Sequence, residues 1–240
     1  MYTFDPVYEI DLPMPYLIPL LAIAFAASPF LSSSFGGFAP DAYPVPQDHP
    51  PVQPAGYAFA IWGLIYLWLI AHGARGLARR DHPGWRPTRL PLAVSLAVGA
   101  VWIPVANASP LWATVLILVM LAGALAALLR AGTADPWWLG TPLGLYAGWL
   151  TAASCVSLGL VAAGWGLVPA LTAAWGALAL ALVLGIAVIW RRPSPGYAAA
   201  LAWALAGVAA ANWGTGTGLS PVALGAAALV AGLCTKRALS

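Results

Sequence analysis

Aromatic rings are the side chains of this sequence best equipped for chemistry, and what they offer is recognition rather than bond making. Tryptophan alone occurs 13 times in 240 residues. Phe59, Trp62 and Tyr66 follow one another at spacings of three and four, which puts them on one face of a helix. Trp102 lies in a later apolar stretch, and Tyr146 and Trp149 stand three apart in another. Rings of this kind, each with a π face and some with an N–H or O–H at the edge, suit a flat apolar ligand carrying a few polar groups. Conventional catalysis finds no comparable set. His49, His72 and His82 are scattered, and there are no paired carboxylates, no Ser/His/Asp grouping and no Walker loop. The glycine-rich run Gly214–Gly218 has no following lysine and reads as a turn. Cys155 and Cys234 fall within or at the end of apolar stretches without metal-ligand spacing, so neither zinc nor a disulfide is expected. No catalytic residue, no metal ligand and no obligatory cofactor is assigned.

The elements that must hold these rings are membrane helices. Hydrophobic residues make up 62% of the chain and charged residues 7%, against roughly 25% charged in a soluble domain. Apolar stretches run over about 15–32, 56–77, 90–106, 111–129, 137–163, 168–190, 197–213 and 221–235. Most reach the roughly 17–25 residues a spanning helix needs, and runs of that length point to helices rather than a barrel. The separators are rich in Pro, Gly, Asn and Asp, which break helices or favour turns. The fold class is therefore all-α, a polytopic membrane bundle of about eight transmembrane helices.

Charge placement tests the count. All 10 basic residues, from Arg75 to Arg237, fall after the second, fourth, sixth and eighth spans, and the opposite loops hold none. A miscount by one would scatter them across both faces. The positive-inside rule makes the basic side cytoplasmic, with both termini inside, and a bacterial inner membrane fits. The net charge of +3 is thus explained without nucleic acid. The first span is expected to be retained rather than cleaved, because Asp5, Glu9 and Asp11 precede it where a signal peptide would be basic. No charged residue lies mid-span, which argues against ion-coupled transport.

Six tryptophans (Trp112, Trp137, Trp138, Trp165, Trp190 and Trp213) sit at span ends, as interfacial anchors do. Six others lie deeper, and Trp85 falls in a basic loop. With 1.5 Å per residue, Trp102 lies roughly 8 Å below the non-basic end of its span. If the second, third and fifth spans are neighbours, the aromatics share one cavity in that half of the membrane. Gly140, Gly144 and Gly148 form a small-xxx-small stripe suited to close approach of another helix, in the same chain or, less readily, in a second copy. His72 reads first as a hydrogen-bonding group near a span end and only secondarily as a metal ligand.

The run from Pro54 to Tyr66, PAGYAFAIWGLIY, resembles the start of the second helix of the TspO/MBR family of tryptophan-rich sensory proteins, with its F-x-x-W-x-x-x-Y pattern at Phe59, Trp62 and Tyr66. The run from Pro142 to Ala153, PLGLYAGWLTAA, is similar to the family's fifth helix, and Trp102 matches its third-helix tryptophan. The resemblance covers residues 15–163. It implies a five-helix membrane bundle over 1–163, followed by three additional transmembrane helices over 164–240. It also implies a ligand pocket under the loop from Ser33 to Ala55, with Phe59, Trp62, Tyr66, Trp102, Tyr146 and Trp149 as ligand-binding residues and a porphyrin or other tetrapyrrole as ligand. Two departures stand out: Ser157 occupies the place of an asparagine usual late in the fifth helix, and no basic residue follows Tyr146 until Arg191, so the sterol-associated pattern is missing.

The function expected is a membrane receptor or sensor for a tetrapyrrole-like hydrophobic molecule. Two alternatives come from other classes: a non-catalytic accessory subunit of a larger, pigment-containing membrane complex, and a facilitator of hydrophobic small-molecule transport. The expected partners are the lipid bilayer and a hydrophobic small molecule, with a homodimer or a membrane complex as further options.

Overall fold

The computed structural model describes residues 14–32 and 37–239. Residues 33–36 of the expected ligand-covering loop, and Asp5, Glu9 and Asp11, lie outside the described residues. Among the described residues there are eight α-helices and no strand: α1 (Met14–Leu31), α2 (Ile61–Ala78, led by a 3-10 turn over Gly56–Ala60), α3 (Arg86–Ala108), α4 (Pro110–Arg130), α5 (Gly140–Gly164), α6 (Ala170–Arg191), α7 (Pro195–Ala211) and α8 (Leu219–Leu239). Seven are long and apolar enough to cross a membrane, and α7, at 17 residues, is shorter. The protein is an integral membrane helical bundle of about eight helices.

Proline and serine set two of the boundaries. Ser109 and Ser194 each take extended backbone, each precedes a proline, and each side chain accepts the backbone N–H three residues on. Such Ser-Pro starts satisfy an orphan donor and need no N–H from the proline. The fifth helix begins later than the apolar stretch suggested. Asp135 takes a left-handed φ of 56° before Pro136, and its carbonyl accepts from the backbone N–H groups of Trp138 and Leu139, so 137–139 form a turn. The Gly214–Gly218 run is likewise a turn, with φ of 75°, 73° and 76° at its three glycines, a conformation that side-chain-bearing residues rarely adopt.

α5 is the most buried helix and the hub of the bundle, packed against α4, α6 and α7 and only lightly against α2. Its small-residue stripe is filled from within the chain: a Cβ on Gly144 or Gly148 would strike Ser194 and the Tyr197 backbone of α7. Gly196 of α7 reciprocates against the Thr141 carbonyl and the Leu145 backbone. Small residues let these two backbones approach closely, and that is the role of the stripe.

Of α2, α3 and α5, which the sequence reading considered as neighbours, α2 packs lightly on α5 and a Ser95–Tyr146 hydrogen bond joins α3 to α5, but the three do not form one close-packed trio. α1 packs on both α2 and α3, while α4 lies between α3 and α5. The physical reason is Phe25 on α1, which drives its ring over Gly99 of α3, where any Cβ would collide with it. α1 is thereby seated in the gap.

At the basic end the loops lock together. Arg79 pairs with Asp135 at 2.8 Å, and the Trp85 indole N–H donates to the same carboxylate at 3.4 Å. Trp85, in the basic loop as expected, is nonetheless buried and stacks on His72 with ring centroids 4.9 Å apart. His72 Nδ1–H donates to the Trp138 carbonyl at 2.8 Å, the ordinary hydrogen-bonding role expected of it. Arg89 donates to the carbonyls of Arg79 and Arg80 just past the end of α2, and Arg192 to those of Ala131 and Gly132 just past α4. Cations at helix C-termini meet the negative end of the helix dipole. Desolvation pushes the Asp135 carboxyl up, but the Arg79 guanidinium, the Trp85 N–H and the charge of Arg75 outweigh it and hold the group below its usual range.

Candidate functional site

A cavity of about 410 Å³ opens between the helices toward the end opposite the basic loops. That size is toward the lower end of the roughly 300–1,000 Å³ typical of small-molecule pockets. Its walls come from α1 to α7 and from the segment before α2.

Trp62 anchors the aromatic wall. Its ring stacks on Tyr66 (5.3 Å, 19° between planes) because the four-residue spacing lays one over the other on α2. Phe25 meets both edge-on, at 5.6 Å from Trp62 and 5.0 Å from Tyr66. From α5, Trp149 presents an edge to Trp62 at 6.1 Å and to Phe59 at 5.8 Å. Tilted and T-shaped pairs at these separations are the favourable arrangements for ring quadrupoles, and they fix the rings against rotation.

Five of the six residues singled out from the sequence (Phe59, Trp62, Tyr66, Trp102 and Trp149) line this cavity. Tyr146 does not. It is fully buried behind the wall, 5.9 Å from Phe25 and 6.5 Å from Trp62. The Ser95 hydroxyl donates to the Met120 carbonyl at 2.7 Å, so the Tyr146 hydroxyl donates to Ser95 at 2.9 Å. Tyr146 is a pin joining α5 to α3 and α4. Trp102 lies on a separate wall, its indole N–H bonded to the Ala113 carbonyl at 2.9 Å.

Polar groups on the cavity surface are few, and among the described residues the lining holds no Asp, Glu, Lys, Arg or His. The Trp149 indole nitrogen is buried and has no hydrogen-bond partner among the described residues. A buried donor left unpaired costs about 1–3 kcal/mol, and here the nitrogen itself is enclosed by packed protein although the ring lines the cavity. Ser157, at the place of the family asparagine, and Cys155 also line the space.

The segment 37–55 closes the far end. Phe38, Val52, Gln53 and Pro54 face the cavity. Four bonds strap this segment and the turn after it to later helices: Val45 N–H to Gly164 O (2.8 Å), Ala55 N–H to Gly207 O (3.0 Å), Asn212 Nδ2 to Pro51 O (2.8 Å) and Trp203 Nε1 to Ala58 O (2.9 Å). Tyr43 packs into the notch at Gly164, against Trp165.

Sequence reasoning missed two contributors. Phe25 had a readable signal, since Ile18, Ala22 and Phe25 recur at helical spacing on one buried face of α1. The alanines of α6 and α7 had none, because small apolar side chains look alike on a packing face and on a cavity wall.

A family profile of TSPO-like proteins matches residues 43–235, which takes in α2 through most of α8 and so runs well past residue 163. No curated protein and no solved structure matches the chain. The match spans most of the 240 residues and agrees with the aromatic signature on α2. The chain belongs to the family of TSPO-like proteins.

Proposed function

We propose that the protein is a membrane receptor or sensor that holds a flat, hydrophobic, tetrapyrrole-like molecule in the cavity beneath segment 37–55. The observation that carries this reading is an uncharged cavity of about 410 Å³ walled by Phe25, Phe59, Trp62, Tyr66 and Trp149. Stacked and edge-on rings supply apolar surface and π contacts, and Trp149 supplies a hydrogen-bond donor. The ligand-binding set on this reading is Phe59, Trp62, Tyr66, Trp102 and Trp149, with Tyr146 holding the wall from behind. The first 163 residues carry most of the aromatic wall, and residues 164–240 are a three-helix addition that completes it. The clustering of basic residues at one end supports both termini in the cytoplasm, in keeping with a bacterial inner membrane; on that reading the cavity lies in the outer half of the bilayer.

The test is a porphyrin titration of detergent-purified protein, followed by quenching of tryptophan fluorescence, with Trp62→Phe and Trp149→Phe alongside. Saturable binding near micromolar, about −8 kcal/mol, that weakens in both variants supports the receptor reading. Failure of the wild type to saturate, or binding indifferent to both changes, turns the assignment toward an accessory subunit of a larger membrane complex.

A further inference from the structure

α6 and α7 both lean on α5 and both pack on α8, yet they scarcely touch each other. The recess between them opens into the aromatic cavity. On the α6 side it is faced by Ala174, Ala177 and Ala181, whose spacings of three and four set them on one stripe. On the α7 side it is faced by Ala204 and Leu205. All five are buried, so this is interior space and not lipid-facing surface. α6 is held close at one point, where Gly159 of α5 leaves room for Ala177 and the Ala173 carbonyl; a Cβ there would come within 3.3 Å of the Ala177 Cβ. Ala177 thus stands where α6 meets α5 at the edge of the recess, and a larger side chain there would narrow the recess from that side.

We propose that the α6–α7 recess is a size-selecting subsite, with Ala177 and Leu205 as specificity-determining residues, and that it admits an uncharged polycyclic molecule. The proposal rests on the ligand-site reading above and adds the depth to which a ligand enters. Charge neutrality follows from the lining: a carboxylate carried into this space would meet no cation, and an unpaired buried charge is strongly disfavoured. A free tetrapyrrole acid must therefore keep its carboxylates out of this space, whereas its neutral ester has no charge to exclude.

The experiment uses the full-length protein in lipid nanodiscs and two uncharged probes, protoporphyrin dimethyl ester as the large one and 9-fluorenone as the small one. Ala177→Leu is expected to weaken the porphyrin ester at least tenfold and to leave fluorenone within threefold. Leu205→Ala deepens the recess and is expected to tighten the ester at least threefold. Ala179→Leu, on the exposed face of α6, is expected to change neither. Ala177→Leu and Leu205→Ala that shift both probes equally, or neither, overturn the size filter while leaving the aromatic site intact. If the wild type binds neither probe, the ligand-site reading falls and the subsite with it. Should Ala177→Leu fail to fold, the oppositely signed Leu205→Ala carries the test alone.

Discussion

The Trp149 indole combines burial, a place on the cavity wall and an unspent N–H. Phenylalanine preserves most of the ring and removes the donor. One hydrogen bond contributes about 0.5–1.5 kcal/mol net, so a ligand carbonyl that draws the enclosed N–H round to itself should bind roughly threefold to tenfold more weakly to Trp149→Phe. An equally shaped hydrocarbon should be unaffected; fluorenone against fluorene by calorimetry gives the comparison. Asp135 offers a different check at the basic end. Its carboxyl is held below the usual range by Arg79, so its contribution is present above the unfolded value near 4 and is lost as pH falls through the lower folded value. Asp135→Asn should therefore lower the melting temperature at pH 7, and the gap from wild type should close on acidification below about pH 4. A gap unchanged with pH would mean that the Arg79 pair contributes nothing.

Among the helices, the α5–α7 crossing makes the sharpest claim. Gly148→Ala places a methyl against the Tyr197 carbonyl, and overpacking of this kind costs about 1–3 kcal/mol. Gly225→Ala on α8 meets nothing and should stabilise by about 0.5–1 kcal/mol, because alanine restricts the unfolded chain and favours helix. Thermal melts in one detergent should move in opposite directions for the two variants. The same crossing shows how far sequence reached. The stripe of Gly140, Gly144 and Gly148 announced a close helix approach, but nothing in its spacing named α7 as the partner. Likewise Phe59, Trp62 and Tyr66 declared their common face, since i, i+3, i+4 geometry is local. That α1 separates α2 from α3 was not legible, because it depends on Phe25 finding Gly99, two residues 74 positions apart, and the local spacing that marks the buried face of α1 does not name its partner. Trp85 was read correctly as a residue of the basic loop, but its burial was not legible, because that comes from His72 and Asp135, partners that only tertiary folding supplies.

For the molecule as a whole, the span count and the one-sided charge were legible because membrane crossing imposes length and orientation directly on composition. The prediction at this scale is topological. In intact cells an impermeant maleimide should label Thr215→Cys in the α7–α8 turn and spare Asp81→Cys in the α2–α3 loop; both positions are exposed, and the native Cys155 and Cys234 are buried. The reverse pattern would invert the protein. Finally, the straps between segment 37–55 and the later helices bear on how the chain is made. Asn212 reaches back to Pro51, and Trp203 to Ala58, so residues synthesised first wait for residues synthesised almost last. A nascent chain that has delivered only α1 to α5 has its aromatic wall and the Val45–Gly164 strap but neither the three α7 straps nor the α6 and α7 sides of its enclosure. The compartment is completed only once α7 has been made, so its enclosure is a late step in the making of the chain.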